Sequence, residues 1–167
     1  KTMTVPEEWT EIPAYLFSGS AISSVVIPET VKAVGESAFR NCSALTSVEL
    51  KNITEIGRSA FENCSNLKSV SLSGVERIEP ETFMNCTSLT GVNMVDVRSI
   101  GVDAFYGCSS LTTLSLPNTI EKIYSCIGGT GIREFYLNGA ETLYADLSGL
   151  ELERLVISKN IRHLDGS

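Results

Sequence analysis

The sequence predicts a right-handed, β-dominated α/β solenoid of about seven coils of roughly 20–23 residues each. Three observations carry this. A Phe-x-x-Cys phrase recurs in register, as Phe39 with Cys42, Phe61 with Cys64, Phe83 with Cys86 and Phe105 with Cys108. Each occurrence is followed at fixed distances by three apolar residues: Leu45, Val48 and Leu50 in one row, then Leu67, Val70 and Leu72, then Leu89, Val92 and Met94, then Leu111, Leu114 and Leu116. Glycine returns at one corner of the row, at Gly35, Gly57 and Gly101. Six apolar positions kept in step through four rows mark a unit that buries its apolar face only by stacking on copies of itself.

Each part of the row has a physical reading. Val48 and Leu50 are two residues apart, so both point inward from a strand while Glu49 points out. A second inward pair precedes each Phe: Val31 with Val34, Ile53 with Ile56, Val75 with Ile78, and Val97 with Ile100. Two inward stretches per coil make two walls of a flattened tube. The strands of one wall are expected to form a continuous parallel sheet along one face. The Ala-Phe-x-Asn-Cys segment is too short for a stable isolated helix, so a short helical or 3-10 turn is expected there. Glycine suits the tight bend at the corner.

Weaker rows flank the central four. Ile12, Phe17, Ile22, Val25 and Ile27 fit with one residue missing. Ile123, Ile127, Ile132, Phe135 and Leu137 fit a shortened row, as do Leu143, Leu147, Leu152, Leu155 and Ile157. Residues 1–11, with Val5, Pro6 and Trp9, are expected to form an N-terminal cap, and residues 12–167 a single solenoid belonging to a longer chain.

Bulk properties narrow the function. The 167 residues carry a formal net charge of −7. Phosphate binding needs clustered Lys and Arg, so nucleic acid is not expected as a partner. Docking on anionic lipid is disfavoured for the same reason. No run approaches the ~18 apolar residues of a membrane span, so no membrane insertion is expected within this segment.

The cysteines form a column, and zinc needs ligands converging on one point. Neighbouring side chains in such a column point the same way, which suits disulfides poorly. They read as free, buried thiols that pack as small hydrophobes. Cys126 falls off the column, near the Ala position of its row. Asn41, Asn52, Asn63 and Asn85 head Asn-x-Ser/Thr triplets, but three of these arise from the repeat itself. His163 is the only histidine and has no nucleophile elbow beside it, so no catalytic residue is assigned. Gly128-Gly129-Thr130-Gly131 lacks the Lys of a phosphate loop, and no cofactor is implied.

Leu45-x-x-Val48-x-Leu50 is the core pattern of a leucine-rich repeat. The full row, Ile-Gly-x-x-Ala-Phe-x-x-Cys-x-x-Leu-x-x-Val-x-Leu, with linkers such as Leu116-Pro-Asn-Thr-Ile120, resembles the BspA-like leucine-rich repeats over residues 12–164. Departures are the shortened outer rows, Glu79-Pro80 in place of the corner glycine, and Ser20 in place of the first Cys. The resemblance implies a surface or secreted protein of a host-associated microbe, with adhesion as the class of function. The expected role is therefore a non-enzymatic extracellular binding or adhesion module, with a structural spacer as the alternative. The expected partner is a protein or glycan on host or neighbouring cells. Binding would use the outward residues of the sheet face: Glu49, Ser71, Asn93, Ser115, Glu134, Tyr136 and Arg154. Of these, Tyr136 and Arg154 are the types that anchor interfaces.

Overall fold

The computed structural model describes residues 1–139, 141–147 and 151–165; the C-terminal boundary expected at residue 167 lies outside them. It is a parallel β-solenoid of two walls. The first wall contains β1 (Thr2–Thr4), β3 (Ser24–Val26), β5 (Ser47–Val48), β7 (Ser69–Ser71), β9 (Gly91–Asn93), β12 (Glu134–Leu137) and β14 (Arg154–Ile157). The second contains β2 (Glu11–Ile12), β4 (Ala33–Val34), β6 (Glu55–Ile56), β8 (Arg77–Ile78), β10 (Ser99–Ile100), β11 (Lys122–Ile123), β13 (Thr142–Ala145) and β15 (His163–Asp165). Every ladder is parallel, and equivalent residues of successive coils pair, as in Val25 with Val48 and Ile100 with Ile123. Residues 1–12 supply the first strand of each wall. Val5 is buried and Trp9 packs against the core.

Two expectations are corrected. The Ala-Phe-x-Asn-Cys corner is not helical; among the described residues there is no helix. It is a ribbon of overlapping turns with two uses for its amides. The N–H groups of Ser37, Phe39 and Asn41 donate to Arg58, Ala60 and Glu62 of the next coil, at 2.9, 2.8 and 2.8 Å. Those of Ala38, Arg40 and Cys42 close turns onto Gly35, Ser37 and Phe39 of their own coil. Pointing alternate amides at a neighbour requires positive φ twice per coil, which no helix contains. One such column is Tyr15, Ser37, Ser59, Glu81 and Asp103, with φ of 52–61°. The other is Asn41, Asn63 and Asn85, at 60, 59 and 58°, continued by Gly107 at 72°. Asn and Gly are the residues that enter this region at least cost.

The first wall is also not one continuous sheet. Its ladders are β1-β3-β5, β7-β9 and β12-β14, with Ser115 bridged to Tyr136. The second wall breaks at nearly the same level, between β6 and β8. That break falls where Glu79 replaces the corner glycine. A Cβ at Gly35, Gly57 or Gly101 would lie only 2.5, 2.6 or 2.7 Å from backbone of the preceding coil. A side chain at this corner therefore crowds the preceding coil, while the turn ribbon still bonds across the same level, Ser59 N–H to Pro80 O at 3.1 Å and Phe61 N–H to Thr82 O at 2.9 Å.

The core is a set of columns. Phe17, Phe39, Phe61, Phe83 and Phe105 stack face to face, with centroids 5.2, 5.2, 5.5 and 5.6 Å apart. Beside them run the cysteines, all five of them free and buried. Each thiol of the column does more than fill space. Cys42, Cys64, Cys86 and Cys108 donate from Sγ to the carbonyls of Phe17, Phe39, Phe61 and Phe83, at 2.9, 3.1, 3.1 and 3.1 Å. Burial pushes the Cys108 thiol up to about 12 and the Cys86 thiol well above its usual value. Cys126 occupies the Ala position, since Phe105 N–H donates to its carbonyl as Phe83 N–H does to that of Ala104. Thr130 then takes the column's place and donates from Oγ1 to Ile127 O at 2.8 Å. At the C-terminal coil the inward positions lie open. Leu155, Ile157 and Leu164 are 41, 48 and 44% exposed, whereas their ladder partners Phe135, Leu137 and Leu143 are buried.

Polar side chains form ladders on the outside. Asn63 Nδ2 donates to Asn41 Oδ1 at 2.8 Å, and Asn85 Nδ2 to Asn63 Oδ1 at 3.0 Å. Two of the sequon amides are thus engaged within the protein. The ladder stops at Gly107, where a Cβ would collide with Asn85 Oδ1. Next to it, Arg58 and Ser59 both donate to the Glu81 carboxylate, holding it below its ordinary value of 4.5.

Cys86→Ala is expected to cost about 1–3 kcal/mol in urea unfolding, from lost burial and the lost thiol bond to the Phe61 carbonyl, which keeps the Cys64 N–H. Thiol titration of the denatured, unreduced protein should find every cysteine free. Asn63→Ala should destabilise by roughly 1–2 kcal/mol more than the positive φ alone costs a neutral site, and Asn63→Gly by less than Asn63→Ala, because only glycine keeps that φ freely. The lowered Glu81 value means its contribution is present above pH 4.5 and is lost as pH falls through the folded-state value. Glu81→Gln should therefore flatten the acid limb of the stability curve and leave neutral-pH unfolding less affected by further acidification.

Candidate binding face

The first-wall strands alternate inward and outward, so the ladders align the outward side chains in rows. Ser69 faces Gly91 and Ser71 faces Asn93 across β7 and β9. Ser115 faces Tyr136, which in turn faces Val156, and Glu134 faces Arg154. All seven residues nominated from the sequence lie on this outer face and are exposed.

The breaks divide them into two groups. Glu49, Ser71 and Asn93 surround a depression of about 740 Å³ over the gap between β5 and β7. Its floor is Val48, Leu50 and Val70, and serines line its rim. Glu49 is tied to Lys51 by an exposed ion pair of 2.9 Å. Gly91 leaves open space above the wall, and the neighbouring Val92 is only half-buried.

Glu134, Tyr136 and Arg154 form the second group, with Ser115 beside them. Tyr136 Oη donates to Glu134 Oε2 at 3.1 Å, and Arg154 Nη1 lies 4.0 Å from the same oxygen. One carboxylate thus orients an aromatic ring and a guanidinium side by side. Such a pair offers an apolar face, a hydroxyl and a fork of donors, which is recognition chemistry.

Sequence reasoning passed over a third feature, on the second wall. Tyr124 and Tyr144 lie on its outer side with ring centroids 5.4 Å apart and planes tilted by 43°. The available signal was that Tyr124 stands where the row otherwise carries the corner glycine. Its coil accepts the side chain because it has lost one corner residue, Asp103 having no counterpart there.

Parallel strands stacked at 22-residue steps around Phe and Leu columns define a leucine-rich-repeat solenoid. The chain belongs to the BspA-type leucine-rich repeat family: the model of the BspA type leucine rich repeat region matches residues 4–127 in six copies. No curated protein matches the chain. Among solved structures, a leucine-rich repeat protein from Bacteroides ovatus is similar, with 24% identity and a TM-score of 0.72 over 95% of this chain and 54% of that one. One from Eubacterium ventriosum is 28% identical, with a TM-score of 0.57 over 78% and 43% of the two chains. A leucine rich cell surface protein from Faecalibacterium prausnitzii is 20% identical, with a TM-score of 0.55 over 99% and 65%. The chain spans about half the length of the first two.

Proposed function

We propose that this chain is a non-enzymatic, extracellular binding or adhesion module that presents its first wall to a protein or glycan on host or neighbouring cells. The observation that carries this reading is the Glu134-Tyr136-Arg154 cluster. Tyr and Arg are the residues most often found as interface anchors, and here both stand exposed on paired parallel strands. Anchors held by strands lose little freedom on binding, which favours affinity. The cell-surface description of the Faecalibacterium protein supports the extracellular placement.

The test is a binding screen of the immobilised chain against matrix proteins, bacterial surfaces and glycans. Tyr136→Ala and Arg154→Ala are each expected to weaken the binding found by about tenfold or more. Their melting temperatures should stay at the wild-type value, because both side chains are exposed. Absence of any partner at micromolar protein would overturn the reading.

A further inference from the structure

The second wall holds a long trough. Two depressions of about 850 and 390 Å³ share Arg77 and Glu79, so they run together from Glu11 to Tyr124. Backbone at Gly35, Gly57 and Gly101 contributes to the lining. The parallel register places one outward side chain per coil along its length: Glu11, Ala33 and Glu55, then, beyond the break, Arg77, Ser99, Lys122 and Tyr144. At its far end stand Tyr124 and Tyr144, each 37% exposed, with exposed Val102 beside Tyr124 in the lining.

We propose that this trough binds a neutral linear polysaccharide laid across the coils, with a sugar unit on each coil and a terminal ring stacked on Tyr124 and Tyr144. The spacing is the first reason. Coils repeat at about 4.8 Å, close to the length of one pyranose unit in an extended chain, so successive sugars fall on successive coils and each meets that coil's own outward side chain. An extended peptide advances by about 3.3 Å per residue and drifts out of step with the coils. Chemistry is the second reason. A pyranose has an apolar face for a tyrosine ring and a rim of hydroxyls. Carboxylates and guanidinium groups bond hydroxyls strongly from either side, as acceptors and donors. Charge is the third. Glu11, Glu36, Glu55, Glu76 and Glu79 line the trough against Arg58, Arg77 and Lys122, so carboxylates outnumber cations and, on a chain of net charge −7, a polyanionic glycan is disfavoured. A folded protein partner would need an apolar, charge-depleted centre, and charged groups occupy the middle of this trough.

This inference does not rest on the first wall. It is tested by calorimetric titration of the intact chain with di- and hexasaccharides of β-1,4-linked glucose, xylose and N-acetylglucosamine, with an alginate oligomer as the anionic arm. At least one neutral hexasaccharide should bind about tenfold or more tightly than its disaccharide. Tyr124→Ala should weaken that binding by about tenfold, Tyr124→Phe should keep it, and Tyr136→Ala should leave it unchanged. Tyr124→Phe and Tyr136→Ala should melt with the wild type, and Tyr124→Ala is titrated at a temperature where its melting curve shows it folded. The proposal is overturned if no neutral hexasaccharide binds at millimolar concentration, if affinity is independent of length, or if alginate is preferred. It is equally overturned if Tyr136→Ala, rather than Tyr124→Ala, removes binding, a result that would instead support the first-wall reading.

Discussion

Everything in this molecule depends on backbone amides of one coil finding carbonyls in the next. An unmet amide in a buried position costs about as much as a lost hydrogen bond, so each coil must repeat the path of its neighbour closely. The corner shows how strict this is. Phe39 N–H can reach Ala60 O, and Asn41 N–H can reach Glu62 O, only if the intervening amides turn back on their own coil. That alternation fixes two residues per coil at positive φ. Side chains then inherit the register. Phe rings stack because their backbones are in step, and each cysteine of the column finds a phenylalanine carbonyl of the previous coil for the same reason.

The constraint explains which parts of the fold were legible in sequence. Columns such as Phe39-Phe61-Phe83-Phe105 face inward at every level, so burial repeats with the period and the period is visible. The two walls follow from apolar residues two or three apart. The cysteine column was read as small hydrophobes, which is right for burial but incomplete. Ser20 and Thr130 at its two ends hinted at the missing part, since they share with Cys a side-chain hydrogen-bond donor and not its apolar character.

What was not legible has a common cause. A helical turn and a ribbon of turns need the same short, mixed-polarity segment, and periodicity does not separate them. The distinguishing clue is conformational: Asn41, Asn63, Asn85 and Gly107 share a column because they tolerate positive φ. The breaks in the sheets were equally hidden in the apolar pattern. The second-wall break coincides with one departure, Glu79 in place of glycine, whose steric effect appears only when the preceding coil's backbone is in place, whereas the first wall breaks twice, between β5 and β7 and after β9. On the first wall a depression lies over the break at that level, so an irregularity of the repeat also shapes the candidate face.

Recognition in such a protein must use the positions that the stacking leaves undetermined. Those positions are not randomly filled here. Four of the five exposed tyrosines, Tyr106, Tyr124, Tyr136 and Tyr144, fall between residues 106 and 144, where the repeat shortens and the Phe and Cys columns end, while Tyr15 stands at the first corner. Shortening removes corner residues and frees the glycine site for Tyr124, while the four-residue strands β12 and β14 hold Tyr136 and Arg154 in one register. The central coils, with near-identical rows and serine-rich outer faces, carry no tyrosine or tryptophan on either wall. The irregular coils place aromatic and charged groups on both of them. A regular array that ends in an irregular aromatic level can hold an extended ligand along its length and fix its register at one point, which is the physical basis of the trough proposal.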